Sequence, residues 1–159
     1  MTGSIDAKTF WRALGARPLG VTVATARDEE GPAGFLALSA THVTADPPTL
    51  LVAVDNRTSA LPTILRARHF ALNFLRAGDE ALADTFGGRT QARGPQRFAS
   101  GRWGVLTTGA PVLDDAIGAI DCALVETIER VGVTLAIGRA VDFAIRDGEP
   151  LIFFRGTYR

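Results

Sequence analysis

The chain has 159 residues, of which 47% are hydrophobic and 21% charged, and its 17 basic residues balance 17 acidic ones. This length and composition are typical of one globular domain, which we expect to span residues 1–159. The balanced charge argues against a dedicated nucleic-acid binder. One cysteine with two histidines excludes an internal disulfide and the usual zinc sites, and we predict no metal site.

The N-terminal residues lack the basic and apolar pattern of a secretion signal. No stretch of the sequence approaches about 18 uninterrupted apolar residues, the length needed to cross a bilayer. We therefore expect a cytoplasmic protein with no membrane partner.

The first predicted element is a helix that Asp6 caps and that runs to about Ala16. Its large apolar residues, Phe10, Trp11 and Leu14, share one face. We expect Trp11 to be a core residue, together with Phe98 and Trp103 further along the chain.

Alternating or β-branched apolar stretches, bounded by turn residues, predict the strands. The adjacent prolines of Asp46-Pro47-Pro48 exclude a helix and predict a connection between two extended segments. The predicted strands are 19–26, 33–44, 49–54, 69–75, 117–128, 133–145 and 150–154.

Large and small residues alternate along 133–145. We expect the large residues to pack on a barrel core, and the small face to lie against another chain or a flat ligand. Cys122, in the preceding strand, is predicted to be a small buried apolar group. The short connections between strands favour an antiparallel barrel that is closed or nearly closed.

Two more helices are predicted between these strands. Ser59 is expected to cap the first, with Pro62 in its first turn and an inner face of Leu61, Ile64 and Leu65. The second covers residues 79–86. Residues 87–104 are rich in Gly and Arg and predict a long loop, a length that is often functional.

The cluster Asp55-Asn56-Arg57-Thr58-Ser59 follows a predicted buried strand and allows two interpretations. It forms either a simple strand-to-helix turn or a phosphate site, in which Arg57, Thr58 and Ser59 supply charge-assisted hydrogen bonds. A helix start can serve both purposes. The sequence contains neither a Rossmann glycine motif nor a P-loop.

Nine segments, taken in order, resemble the flavin reductase-like proteins. These are FMN-binding split barrels that include the reductase components of two-component flavin monooxygenases. The segments are LGVTVATA (19–26), GFLALSATHVTADPP (34–48), LLVAVDNRTS (50–59), HFALNFL (69–75), LADTFGG (82–88), RF (97–98), GAPVLDDAIGAIDC (109–122), TLAIGRAV (134–141) and EPLIFFRGTY (149–158).

The resemblance implies a mainly β fold, a split antiparallel β-barrel of the Greek-key, FMN-binding type with a few short flanking helices. It also implies a homodimer that binds FMN at its interface and takes hydride from NADH or NADPH. FAD and riboflavin are possible alternative flavins. A partner monooxygenase would receive the reduced flavin.

The resemblance assigns candidate cofactor-binding residues by position. The flavin ring is expected to lie along the backbone of Leu36, Ala37, Leu38, Ser39 and Ala40, with His42 where the family has a serine. The phosphate is expected to contact Asn56, Arg57, Thr58, Ser59 and Arg89. We assign no catalytic residue, because hydride transfer between two bound cofactors depends on their alignment.

Two departures from the family pattern keep other functions open. Leu36 and Leu38 replace a threonine and a small or polar residue, and Val131-Gly132-Val133 replaces a Gly-Asp-His motif near the nicotinamide. One alternative is a flavin- or haem-binding electron carrier that does not use nicotinamide. Another is a dimeric interaction module without a ligand.

Overall fold

The computed structural model describes residues 3–159. None of its helices in that range is long and apolar enough to cross a membrane. Within these residues lie three α-helices, one 3₁₀ helix and twelve strands: α1 (Ala7–Leu14), β1 (Leu19–Gly20), β2 (Thr22–Asp28), β3 (Gly31–Leu36), β4 (Thr41–Ala45), β5 (Pro48–Asp55), α2 (Leu61–Ala67), β6 (His69–Phe74), α3 (Glu80–Phe86), the 3₁₀ helix (Gly94–Ala99), β7 (Trp103–Val105), β8 (Pro111–Leu113), β9 (Gly118–Arg130), β10 (Val133–Ile145), β11 (Ile152–Phe154) and β12 (Thr157–Tyr158).

Seven strands form the main antiparallel sheet in the order β3-β2-β6-β9-β10-β5-β4. Among the described residues the two outer strands, β3 and β4, share no hydrogen-bonded pairing, so the barrel stays open along one seam. The predicted split antiparallel β-barrel with short flanking helices is confirmed.

The chain crosses this open seam between β3 and β4. The sequence predicted one strand over 33–44, but the strand stops at Leu36 and resumes at Thr41. The N–H of Ala37 donates to the carbonyl of Thr22 on β2 (2.8 Å), and the hydroxyl of Ser39 donates to the carbonyl of Ala53 on β5 (3.0 Å). These bonds hold the segment 37–40 as a bridge between the two sides of the seam.

The expectation that the large residues of β10 pack inward is wrong. The small residues Thr134, Ala136 and Gly138 are buried, whereas Phe143 and Ile145 are 65% and 79% exposed. The reason is the ring of Phe70 on β6, which would lie 2.7 Å from a Cβ placed on Gly138. Because the Phe70 side chain of β6 fills this part of the core, only small side chains of β10 fit there.

The capping predictions have mixed outcomes. The carboxylate of Asp6 accepts the N–H of Thr9 (2.7 Å), as expected of an N-cap. Ser59 is not a cap, because the N-cap of α2 is Ala60 and no side chain caps it. A turn closed by the Thr58 N–H on the Asp55 carbonyl (2.8 Å) precedes α2 and moves its start forward.

The aromatic residues of the Gly/Arg-rich loop pack as predicted. Phe98 and Trp103 pack on Phe86, with ring centroids 5.1 and 5.6 Å from that of Phe86, and on each other at 4.9 Å. The expectation that Trp11 is a core residue is wrong, because Trp11 is 66% exposed. Helix α1, all of which the structure describes, buries none of its side chains.

Candidate functional site

A cavity of about 420 Å³ opens where β3, the β5–α2 turn and the end of α3 meet. We name it the polar cavity. It brings together four of the predicted binding residues: Leu36, Arg57, Thr58 and Ser59. The remaining lining residues were not predicted, and they are Phe35, Phe86, Gly87, Gly88 and Arg97.

Arg57 stands at the rim of the polar cavity and is paired with Asp55. Its Nε donates to Oδ1 (3.1 Å) and its Nη2 to Oδ2 (2.9 Å), while its side chain remains 91% exposed. The hydrogen bonds from the Arg57 side chain and backbone lower the pKa of Asp55 to about 2. An incoming anion therefore meets a guanidinium that already has a carboxylate partner.

Arg97 is the cationic residue that sequence reasoning did not assign to the site. Its guanidinium donates to the carbonyls of Gly34 (3.2 Å) and Phe86 (3.5 Å), and its Nε to that of Ala92 (3.4 Å). Partial burial, and then the nearby charge of Arg93, lower the pKa of Arg97. Its bonds to three carbonyls fix this charge in place. The sequence contained one indication of this role, because Arg97-Phe98 is one of the segments that resemble the family.

Arg89, His42 and Asn56 are among the predicted residues that do not line the polar cavity. Arg89 forms an ion pair with Asp84 (3.3 Å). His42 is exposed on the outer strand β4. The Oδ1 of Asn56 accepts the hydroxyl of Thr134 (2.6 Å), so this side chain anchors the cavity wall. Ligand contacts by these residues remain predictions.

The Val131-Gly132-Val133 replacement forms the turn between β9 and β10. Val131 is fully exposed and holds a positive φ of 44°. The carbonyl of Gly132 accepts the backbone N–H of Asn56 (3.0 Å). The departure from the family pattern therefore lies directly beside the predicted phosphate segment.

A second cavity, of about 540 Å³, adjoins the first. We name it the apolar cavity. The two share Leu36, and the apolar cavity also contacts Leu38 and Ser39 of the predicted flavin segment. Ala37 is buried and Ala40 packs against the core. The other lining residues are Trp11, Leu14, Gly15, Arg17, Leu19, Phe153 and Gly156.

The site offers binding groups rather than reactive ones. Within residues 3–159 no three His, Cys, Asp or Glu side chains are grouped to hold a metal ion. Cys122 is fully buried, and burial raises the pKa of its thiol to about 12. The arrangement suits an elongated ligand with an anionic end in the polar cavity and a flat apolar end beyond Leu36.

Residues 14–159 match the family described as the flavin reductase like domain, and the chain belongs to this family. The predicted resemblance is confirmed. The chain is 38% identical over 157 residues to a protein of Agrobacterium fabrum named FMN reductase (NADH) RutF, covering 98% of this chain and 87% of that protein.

Solved structures show the same fold. The flavin reductase PheA2 in its native state has a TM-score of 0.89 at 28% identity, covering 98% of this chain and 97% of that one. BorF, the flavin reductase component of a bacterial two-component tryptophan halogenase, has a TM-score of 0.88 at 26% identity, covering 97% of each chain.

Proposed function

We propose that the protein is an NADH-dependent FMN reductase. The observation that carries this proposal is the junction of the polar and apolar cavities at Leu36, which matches the phosphate and ring ends of FMN. The relative named FMN reductase (NADH) supports the choice of flavin and of nicotinamide nucleotide. NADPH is tested as an alternative to NADH, and FAD and riboflavin are tested as alternatives to FMN.

The residues present fit FMN by their chemistry. Arg57, Thr58 and Ser59 supply a cation and two hydroxyls for the phosphate, with the fixed charge of Arg97 behind them. Leu36 and the bridging segment 37–40, which contains Leu38, form an apolar bed for the ring. FMN held by these residues would supply the ring that receives hydride from a reduced nicotinamide. The chain contributes binding, alignment and exclusion of water, and we assign no catalytic residue.

We further propose a homodimer in which a second copy covers part of the flavin site. The exposed apolar residues on the long β9–β10 hairpin support this, since such patches mark protein interfaces. They are Val125, Val131, Val141, Phe143 and Ile145. Delivery of reduced flavin to a partner monooxygenase is proposed from the family resemblance, and BorF, the reductase component of a two-component halogenase, supports delivery to a separate enzyme. We also propose that residues 1–159 form one domain and that the protein is cytoplasmic.

The test is a visible absorbance spectrum of the purified protein with FMN under argon, followed by addition of NADH or NADPH. Bleaching of the oxidised flavin band at catalytic protein concentrations supports the reductase. A bound flavin that neither nucleotide reduces contradicts the proposal and favours the electron carrier, for which haem binding is tested next. Failure to bind any of these ligands favours the interaction module.

A further inference from the structure

The carboxylate of Asp84, in the last turn of α3, holds two side chains that come from different parts of the chain. Its Oδ1 accepts a hydrogen bond from Nη1 of Arg89 (3.3 Å) and another from the hydroxyl of Tyr158 (3.2 Å). The Arg89 guanidinium also lies 6.0 Å from the centre of the Tyr158 ring. We name these three residues the Asp84 cluster. It joins the turn after α3 to the C-terminal strand β12.

The arginine of the cluster directly follows the wall of the polar cavity. Gly87 and Gly88 line that cavity, and the N–H of Arg89 donates to the carbonyl of Asp84 (2.9 Å), which closes the turn that carries both glycines. A Cβ placed on Gly87 would lie 3.2 Å from the side chain of Leu36, so the turn is also packed against the cavity wall. The Arg89 side chain therefore starts from a fixed point one residue beyond the cavity lining.

The tyrosine of the cluster leads to the apolar cavity. Its ring packs edge-to-face on Phe153, its partner in the β11–β12 hairpin, with ring centroids 5.6 Å apart. Phe153 lines the apolar cavity. Both rings pack against the core cluster that contains Leu82 and Phe86 of α3. The Asp84 cluster is therefore in contact with the walls of both cavities through packed or hydrogen-bonded neighbours.

The ion pair of the cluster is able to exchange partners. The side chains of Arg89 and Asp84 are 59% and 37% exposed, and water screens a pair of this exposure, so the pair contributes little to stability. A phosphate group offers a guanidinium paired, charge-assisted hydrogen bonds, which are stronger than the single contact with Oδ1 of Asp84. A phosphate in the polar cavity therefore competes with Asp84 for Arg89.

We infer that Asp84 is a positioning residue that shares Arg89 between the C-terminal hairpin and the phosphate of the flavin. In the free protein, Asp84 holds Arg89 beside Tyr158. With a phosphate in the polar cavity, Arg89 turns to the phosphate and Asp84 retains Tyr158 alone. Occupation of the phosphate end is thereby reported to the hairpin that carries Phe153. This inference rests on the proposed function, because it concerns the same flavin site.

The chain provides its own probe of this exchange, because Tyr158 is its only tyrosine. Burial raises the pKa of Tyr158, and the charge and hydrogen bond of Asp84 raise it as well, whereas the charge of Arg89 lowers it. When Arg89 leaves Asp84, the lowering influence is lost and the negative charge of Asp84 is no longer balanced. The exchange is therefore expected to raise the Tyr158 pKa further.

The first measurement follows Tyr158 in protein labelled with 3-fluorotyrosine, which gives a single ¹⁹F resonance. The resonance is titrated with pH in the free protein, with riboflavin and with FMN. FMN is expected to raise the pKa of the labelled Tyr158, and riboflavin, which has no phosphate, is expected to leave it unchanged. In the Arg89→Ala variant the FMN-dependent rise is expected to fall to less than half, because no guanidinium is left to move.

The second measurement is the ratio of FMN affinity to riboflavin affinity, obtained by fluorescence titration. Asp84→Asn removes the charge that competes for Arg89 and is expected to raise this ratio about two- to fivefold. Arg89→Ala is expected to lower it about tenfold. Asp115→Asn is the matched control, because Asp115 is a similarly exposed partner of two arginines and lines neither cavity. It is expected to change neither the ratio nor the Tyr158 pKa.

Either of two results overturns the inference. In one, FMN and riboflavin give the same pKa of the labelled Tyr158. In the other, Arg89→Ala keeps the full FMN-dependent rise. Neither measurement needs turnover, so the two proposals can fail separately. A protein that shows the exchange but does not reduce flavin contradicts the proposed function and leaves the role of Asp84 standing.

Discussion

Arg57 and Arg97 line the same polar cavity but are held in different ways. Arg57 is exposed and paired with a carboxylate two residues away, so its guanidinium is free to exchange partners. Arg97 is half-buried and bonded to backbone carbonyls. We expect Arg57 to respond to the ligand and Arg97 to shape the wall behind it.

The Arg57→Ala substitution is expected to weaken FMN binding about tenfold or more, because it removes charge-assisted hydrogen bonds to the phosphate. Riboflavin, which has no phosphate, is expected to change by less than about twofold. Flavin fluorescence titrations measure both affinities. Arg66→Ala is the matched control, because it also removes an ion-paired arginine, one that lines none of the cavities, and it is expected to leave both affinities unchanged. An equal loss for FMN and riboflavin would contradict the phosphate role.

Asp55 is expected to compete with the phosphate for Arg57. Asp55→Asn removes the competing charge and is expected to tighten FMN binding about two- to fivefold, the scale of an exposed ion pair. Because the pKa of Asp55 is about 2, this carboxylate stays ionised at every pH where the enzyme is assayed. The same flavin titrations at pH 7 measure this change. Weaker FMN binding by the variant would contradict the competition between Asp55 and the phosphate.

Cys122 is expected to resist thiol reagents in the folded protein. Burial raises its pKa to about 12, so at pH 8 roughly one molecule in ten thousand carries the reactive thiolate. Unfolding returns the pKa to about 8.5, and this contribution to stability is therefore lost as pH rises from about 8.5 towards 12. Labelling with a disulfide dye at pH 8 should proceed in denaturant only. Fast labelling of the native protein would contradict this burial.

For single residues, the sequence predicts a binding role best where neighbouring residues in the chain have the same role. Arg57, Thr58 and Ser59 are adjacent, so a compositional cluster revealed them. Arg97 reaches its cavity from a loop with several other arginines, and only the fold selects it. Trp11 was predicted to be buried because its size normally favours the core. Its exposure depends on where α1 docks, which no local pattern encodes.

Among the elements, β10 shows what periodicity predicts and what it omits. The alternation of large and small residues correctly indicates a strand, but it does not say which face is inward. That choice depends on Phe70, which lies 68 positions earlier in the sequence and whose ring fills the core above Gly138. The interruption at 37–40 likewise depends on hydrogen bonds to strands that are distant in sequence.

Gly138→Ala tests this packing. A Cβ there would lie 2.7 Å from the Phe70 ring and 2.8 Å from the Cβ of Cys122, so we expect a loss of about 1–3 kcal/mol in the free energy of unfolding. Urea denaturation measures it. Gly20→Ala, where nothing lies within 4 Å, is the control and should change stability by under about 0.5 kcal/mol. A neutral Gly138→Ala would show that the core has room there.

For the whole molecule, the order of family segments along the chain predicted the split barrel. Local patterns alone indicated only an antiparallel barrel that was closed or nearly so. The strand order joins β6 to β9 and β5 to β10, pairings between distant parts of the chain. The open seam is a property of the complete sheet, and the resemblance supplied it.

The proposed homodimer is tested by Phe143→Asp. Phe143 is 65% exposed on the β9–β10 hairpin, and a buried carboxylate at an interface is costly, so we expect this variant to become monomeric and to bind FMN more weakly. Light scattering after size-exclusion chromatography gives the mass. Ile5→Asp, at a residue 71% exposed near the N-terminus, is the control. A wild-type protein that is monomeric throughout the concentration range would refute the dimer.

The anchor between Asn56 and Thr134 also bears on protein synthesis. Every residue that lines the polar cavity precedes position 98, yet the phosphate segment is held by Gly132 and Thr134, and β5 pairs with β10. A nascent chain that has emerged only as far as residue 130 contains all of the lining residues but not the strand that holds them in place. The polar cavity is thus completed only after β10, which begins at Val133, has left the ribosome.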